Sequence, residues 1–127
     1  MRIARPTDKL KDIIQFYEKG LGLVKVGGFK GKDHHGYEGV MYGLPGTGVH
    51  LEFTTHEEGT PCPAPTEDNL LVLYIPDKDA IEQIFSNLKK LGYLAVESEN
   101  PYWDADGVTI EDPDGWRLVL MNTVGIG

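Results

Sequence analysis

A single cysteine, Cys62, is the whole thiol inventory of this 127-residue chain, and it excludes an internal disulfide. Such sparing use suits a reducing compartment. No apolar run approaches the roughly 20 residues that a membrane helix requires. The opening MRIARPTDKL also lacks the apolar stretch of a secretory signal. The expected location is therefore cytoplasmic. Positive charge is in short supply: 12 Lys and Arg against 20 Asp and Glu leave a net charge of −8. That balance repels phosphate backbones and anionic lipid, and argues against nucleic acid or a membrane as partner. Familiar catalytic signatures are missing too. There is no G-x-S-x-G elbow. The glycine-rich stretches 27–31 and 43–48 lack the helix start or the Lys-Ser/Thr that a phosphate loop needs. Cys62 lies among prolines, with nothing in the sequence to activate it as a nucleophile.

The length fits one domain with a real core. Within it the chain repeats a pattern. Leu10, Ile13, Ile14, Tyr17 and Leu21 recur at helical spacing after Thr7 or Asp8 as cap, and Gly20 and Gly22 end the run. Ala80, Ile81, Ile84, Phe85, Leu88 and Leu91 form a second stripe, opened by the capping-box spacing Asp79 to Glu82 and closed by Gly92. A short apolar segment precedes each helix, 1–5 and 69–75. Three strand-like runs follow each: 22–26, 37–43 and 48–54, then 93–98, 107–111 and 116–122. Pro6, Leu10, Ile14, Leu21 and Gly22 return as Pro76, Ala80, Ile84, Leu91 and Gly92. The expected organisation is module 1 over 1–54, a proline-rich connector over 55–68 and module 2 over 69–127, all within a single domain. Asp112-Pro-Asp-Gly115 reads as the turn of a closing hairpin. Alternation around it sends Trp116, Leu118 and Leu120 under a helix, and Arg117, Val119 and Met121 to the opposite face. One βαβββ unit would leave a sheet face bare. Two units predict an α+β fold with a cupped mixed sheet, helices outside and a concave ligand face inside.

Phe16-Tyr17 followed by Gly20-Leu-Gly22, together with the hairpin from Val108 to Leu120, resembles the vicinal oxygen chelate superfamily of glyoxalases, bleomycin-resistance proteins and extradiol dioxygenases. The resemblance spans nearly the whole chain and implies the paired βαβββ fold, a small-molecule ligand and a homodimer. In the enzymes of that superfamily the concave face holds a divalent metal. Carried onto this sequence, its ligand positions fall near Met1, Glu52, Leu70 and Val119, of which only Glu52 can bind such an ion. The resemblance also implies that Arg5, on the face of Met1 and Ile3, grips an anionic part of a ligand. The alternative for Arg5 is an internal ion pair with Glu52.

Read from the residues themselves, His50 and Glu52 share a face of one strand by period two and could together hold Zn, Ni, Mn or Fe, though no third ligand is evident. His34 and His35 lie in a glycine-rich loop, and His56 follows the strand. Tyr74 falls on the face of Leu70 and Val72, and Trp103 stands in a loop outside any apolar periodicity. The ligand-binding set is therefore expected to be Arg5, His50, Glu52, Tyr74, Trp103 and Val119, with no resident metal favoured and catalytic residues unassigned. The expected function is a small-molecule binding or sequestering protein. The alternatives are a metal-dependent lyase, isomerase or thiol transferase using His50 and Glu52, or a purely dimeric partner protein.

Overall fold

The computed structural model describes residues 1–125. Its strands form two separately hydrogen-bonded four-stranded mixed sheets, in two compact units that meet between Cys62 and Pro63.

The first unit runs β1 (Arg2–Pro6), α1 (Leu10–Ile14), β2 (Val24–Phe29), β3 (Tyr37–Gly43) and β4 (His50–His56), with sheet order β1-β4-β3-β2. β1 lies parallel to β4, and the other neighbours are antiparallel. The start of α1 departs from expectation. Neither Thr7 nor Asp8 is its cap; that position is Lys9, which makes no side-chain cap bond. Buried Thr7 instead accepts the Lys9 N–H at 2.9 Å, and the Asp8 carboxylate takes the Thr60 N–H. Both side chains fasten the approach to the helix.

After Ile14 the helix widens into a π-helical stretch, Gln15–Gly20, in which the Leu21 N–H reaches the Phe16 carbonyl at 2.8 Å. Phe16, three residues after buried Ile13, turns fully inward beside Tyr17, while Ile14 is only half-buried. Their rings pack edge to face at 4.8 Å, and Tyr17 meets Phe53 of β4 at 4.6 Å. That contact identifies the helix-side face of the sheet, which carries Val40, Tyr42, Leu51 and Phe53, all buried. Burying each such side chain stabilises the fold by about 2 kcal/mol.

Tyr42 is fully buried there and donates its hydroxyl to Glu18 at 3.2 Å. Burial, and then the Glu18 charge, push its phenol far above the usual tyrosine range. Only the protonated form suits the folded state. Its contribution is intact below the ordinary value near 10.0 and is lost as pH rises above that, because the unfolded chain then releases the proton first. Tyr42→Phe is expected to cost about 1 kcal/mol at neutral pH and to flatten the alkaline limb of a stability-against-pH curve. An unchanged alkaline limb would assign that limb to other groups.

The second unit runs β5 (Leu70–Tyr74), α2 (Lys78–Lys90), β6 (Ala95–Val96), β7 (Gly107–Glu111) and β8 (Arg117–Met121), ordered β5-β8-β7-β6. The cap of α2 is Asp77 rather than Asp79: its carboxylate accepts the Asp79 and Ala80 N–H groups. Pro76 fixes an extended approach that leaves Asp77 as the first residue able to cap. In the closing hairpin Asp112 is buried and accepts from the Asp114 and Trp116 N–H groups at 2.9 and 3.0 Å, while Gly115 adopts φ 84°. The apolar alternation of β8 is as expected. Leu118 and Leu120 are fully buried, and Leu120 lines a cleft with Val108 and Ile81 of α2. Val119 and Met121 occupy the far face.

Candidate functional site

Residues paired across adjacent strands point to the same face. In the first unit Met41 pairs with Glu52, and Glu52 with Ala4; Gly43 and Arg2 flank His50. The far face, away from α1, therefore carries Arg2, Ala4, His50, Glu52, Thr54 and Met41. The structure brings His50 and Glu52 onto this face. It does not put Arg5 there.

Arg5 pairs with Phe53 and Ile3 with Leu51, so both belong to the helix side. The Arg5 guanidinium lies 5.1 Å from the centre of the Phe53 ring, in cation–π range. The expected placement of Arg5 on the ligand wall is thus corrected, and so is the first metal position at Met1, which precedes β1 and follows the alternation of Ile3 and Arg5. The physical reason is the parallel β1–β4 register: opposite Glu52 it sets Ala4, with Arg2 one step along. Arg2 stands in an ion pair with Glu52 at 3.9 Å; their side chains are 52% and 15% exposed.

Glycine shapes the remainder of this face. A Cβ on Gly39 would fall 2.6 Å from the Phe29 ring, so the bare backbone lets that ring lie against β3. Met41 packs likewise over Gly27, where a Cβ would stand 3.2 Å from its terminal methyl. The result is a polar strip along β1 and β4, formed by Arg2, His50 and Glu52, beside an apolar strip along β2 and β3, formed by Phe29 and Met41. His34 rests its ring on Phe29 at 4.9 Å. His56 accepts the Glu58 N–H on Nδ1 at 3.2 Å and donates from Nε2 to the His35 carbonyl at 3.1 Å, so it fastens the 31–36 loop.

The far face of the second unit is different in character. Leu70 pairs with Arg117, Val72 with Val119 and Tyr74 with Met121. Val119 is fully buried and Tyr74 is 41% exposed. Arg117, which sequence alone leaves free to extend into water, is buried. It donates to Glu111 at 3.1 and 3.3 Å and to the Glu97 carbonyl at 3.0 Å, with Glu67 at 3.7 Å. Trp103 sits half-buried in a 3-10 turn, Pro101–Asp104, with its ring edge-on to Tyr102 at 4.9 Å.

Among the described residues no three His, Cys, Asp or Glu side chains converge as a metal site. His50 and Glu52 supply two donors. Glu52 has a guanidinium beside it at 3.9 Å, and arginine has no lone pair to offer a metal. The donor set does not fit a divalent ion held by protein ligands alone.

Two family models cover most of the chain: the YycE-like N-terminal domain matches residues 1–54, and the YycE-like C-terminal domain matches residues 68–122. The chain belongs to the YycE-like family. It is 56% identical to the uncharacterized protein YycE of Bacillus subtilis (strain 168) over 126 residues, 99% of this chain and 89% of that protein. The crystal structure of a Bacillus subtilis YycE protein, of unknown function and proposed to be a glyoxalase/fosfomycin resistance protein, superposes with a TM-score of 0.93, covering 100% of this chain and 91% of that one. Glyoxalase I of Leishmania major, trypanothione-dependent, superposes at 0.72 with 17% identity, covering 95% and 84% of the two chains. TnmS3, an antibiotic binding protein from Streptomyces sp. CB03234, does so at 0.64 with 21% identity, covering 94% and 91%. These two distant likenesses establish the vicinal oxygen chelate fold and nothing finer.

Proposed function

We propose that this protein binds and sequesters a small molecule and carries out no metal-assisted chemistry. One observation carries the reading: where this fold would set metal ligands, the chain has Arg2 and Ala4 on β1, Leu70 and Val72 on β5 and Val119 on β8, leaving Glu52 and its neighbour His50 as the donors. Without a Lewis acid the enediolate, epoxide-opening and ring-cleavage routes lose their electrophile. A face bearing both polar and apolar strips still suits ligand capture. TnmS3 supports the reading as an example of this fold in antibiotic binding. The proposed ligand contacts on the first unit are His50 and Glu52. Tyr74 and Trp103 are candidates on the second unit, where Val119 is left out because it is fully buried. Arg5 is left out, because its guanidinium is engaged on the helix side. We also propose a homodimer, since Ile3 on β1 and Val24 and Val26 on β2 expose apolar side chains on the terminal strands of their sheet. Sedimentation at equilibrium tests that part.

Protein purified without chelators is expected to carry far less than one Zn, Ni, Mn or Fe ion per chain. A stoichiometric ion lost in His50→Ala or Glu52→Ala would overturn the reading in favour of a lyase, isomerase or thiol transferase. A panel of metabolites and antibiotics should contain a compound that raises the melting temperature. Saturation at a hundred times Kd stabilises a protein by about 2.7 kcal/mol. Failure of every compound would leave a purely structural partner protein.

A further inference from the structure

We propose that the Arg2 guanidinium, held by Glu52, stands in the place of the metal ion and makes this face a receptor for small organic anions. The inference rests on the binding reading above and adds the chemical class of the ligand. A metal on this fold serves as a fixed positive charge that draws substrate oxygen atoms. Here the acidic side chain at the ligand position holds an organic cation at 3.9 Å. Glu52 is the more buried partner, 15% exposed against 52%, so the carboxylate is the anchor and the guanidinium reaches outward.

A guanidinium has five N–H donors in a flat fork. One carboxylate at this distance leaves most of them available to a second, incoming anion. Carboxylate and phosphonate groups match that fork with paired hydrogen bonds. The alternatives on the chain are fewer than the sequence suggests. Arg5 lies over Phe53 on the other face of the same sheet. Arg117 is committed to Glu111 and the Glu97 carbonyl in the other unit.

The neighbouring strands specify the rest of the ligand. Ala4, next to Arg2 on the same face, leaves room for a bound group. Met41 lies opposite Glu52, and Phe29, one strand further out, packs against Gly39. Strands are spaced about 4.8 Å apart, so β2 lies about 10 Å from β4. An anion seated on Arg2 would therefore extend an aryl or short alkyl body over Met41 toward Phe29. An acidic protein gains from such a site: with a net charge of −8 it repels anions in general, and binding one needs a fixed local cation.

Phenylphosphonate, benzoate and neutral benzamide serve as probes, with binding to the intact protein followed by calorimetry. Phenylphosphonate and benzoate should each bind at least about tenfold more tightly than benzamide, a preference that weakens with added salt. Arg2→Gln, which keeps much of the length without the charge on an exposed side chain, should abolish the preference for the two anions over benzamide. Arg2→Lys should retain part of it, and Glu52→Gln should weaken it by releasing the anchor. Equal binding of charged and neutral probes, or an Arg2→Gln variant that still prefers anions, would refute the role of Arg2 while sparing the binding reading. If none of the probes binds the wild-type protein, and no compound in the panel does, both fail.

Discussion

Arg117→Ala is expected to lower stability by about 3 kcal/mol, the largest loss from any single polar substitution in the chain. Arg117 begins β8, yet its side chain is only 6% exposed. Its Nε and Nη2 both reach one Glu111 oxygen, Nη1 satisfies the Glu97 carbonyl after β6, and Glu67 in the connector lies at 3.7 Å. One guanidinium thus ties three chain segments to the start of β8, an inner strand of the second sheet. Truncation leaves the Glu97 carbonyl without its donor and a void beneath it. Glu111 is 43% exposed and can recover water, which keeps the expected cost at the lower end for a broken buried pair. Arg117→Met should recover part of the loss, because a well-packed apolar chain often replaces a buried ion pair at little cost. Urea unfolding of the three proteins checks this. A loss under 1 kcal/mol for Arg117→Ala would show that the network adds little beyond a surface ion pair.

Gly107→Ala should cost about 2 kcal/mol through overpacking. A Cβ at this position would stand 2.6 Å from the Met121 sulfur, 2.7 Å from the Trp103 carbonyl oxygen and 3.2 Å from the Leu120 carbonyl oxygen. The methionine end can move. The two carbonyls belong to the backbone of the 3-10 turn and of β8, and cannot both retreat while Asn122 donates its N–H to the Asp106 carbonyl at 2.7 Å. The turn should therefore lift away and carry Trp103 with it. Only Trp103 and Trp116 contribute indole fluorescence, so a red shift retained in a Trp116→Phe background reports on Trp103 alone. An unshifted spectrum with unchanged stability would mean that the turn yields without strain.

Much of the fold was legible in local pattern. Tyr37–Gly43 and Gly107–Glu111 are strands at the bounds that alternation predicts, and the Asp112–Gly115 turn closes as its proline and glycine require. Leu118 and Leu120 separate from Val119 and Met121 as period two demands. The helix caps were less legible, because Thr7 and Asp8 near the first helix and Asp77 and Asp79 near the second all have capping side chains, and only the backbone path decides which of them caps. The stripe of the first helix was misread at Phe16 and Ile14, because both lie at helical spacing from the stripe and only packing against the sheet decides which is buried.

The candidate site shows the same division most clearly. Alternation along Met1–Pro6 divides the strand into Arg2 with Ala4 and Ile3 with Arg5, and each set contains one arginine. Period two sorts residues onto two faces but does not name which one meets the helix. The name comes from hydrogen bonds to a strand nearly fifty residues away, where Ala4 falls opposite Glu52 and Arg5 opposite Phe53. Composition, the repeated βαβββ order and the aliphatic residues at Leu70 and Val119 were fixed by the amino-acid order alone, because none of them depends on pairing between distant strands. Which arginine shares a face with His50 and Glu52 was decided by tertiary pairing, because register is a relation between distant strands that no local window contains.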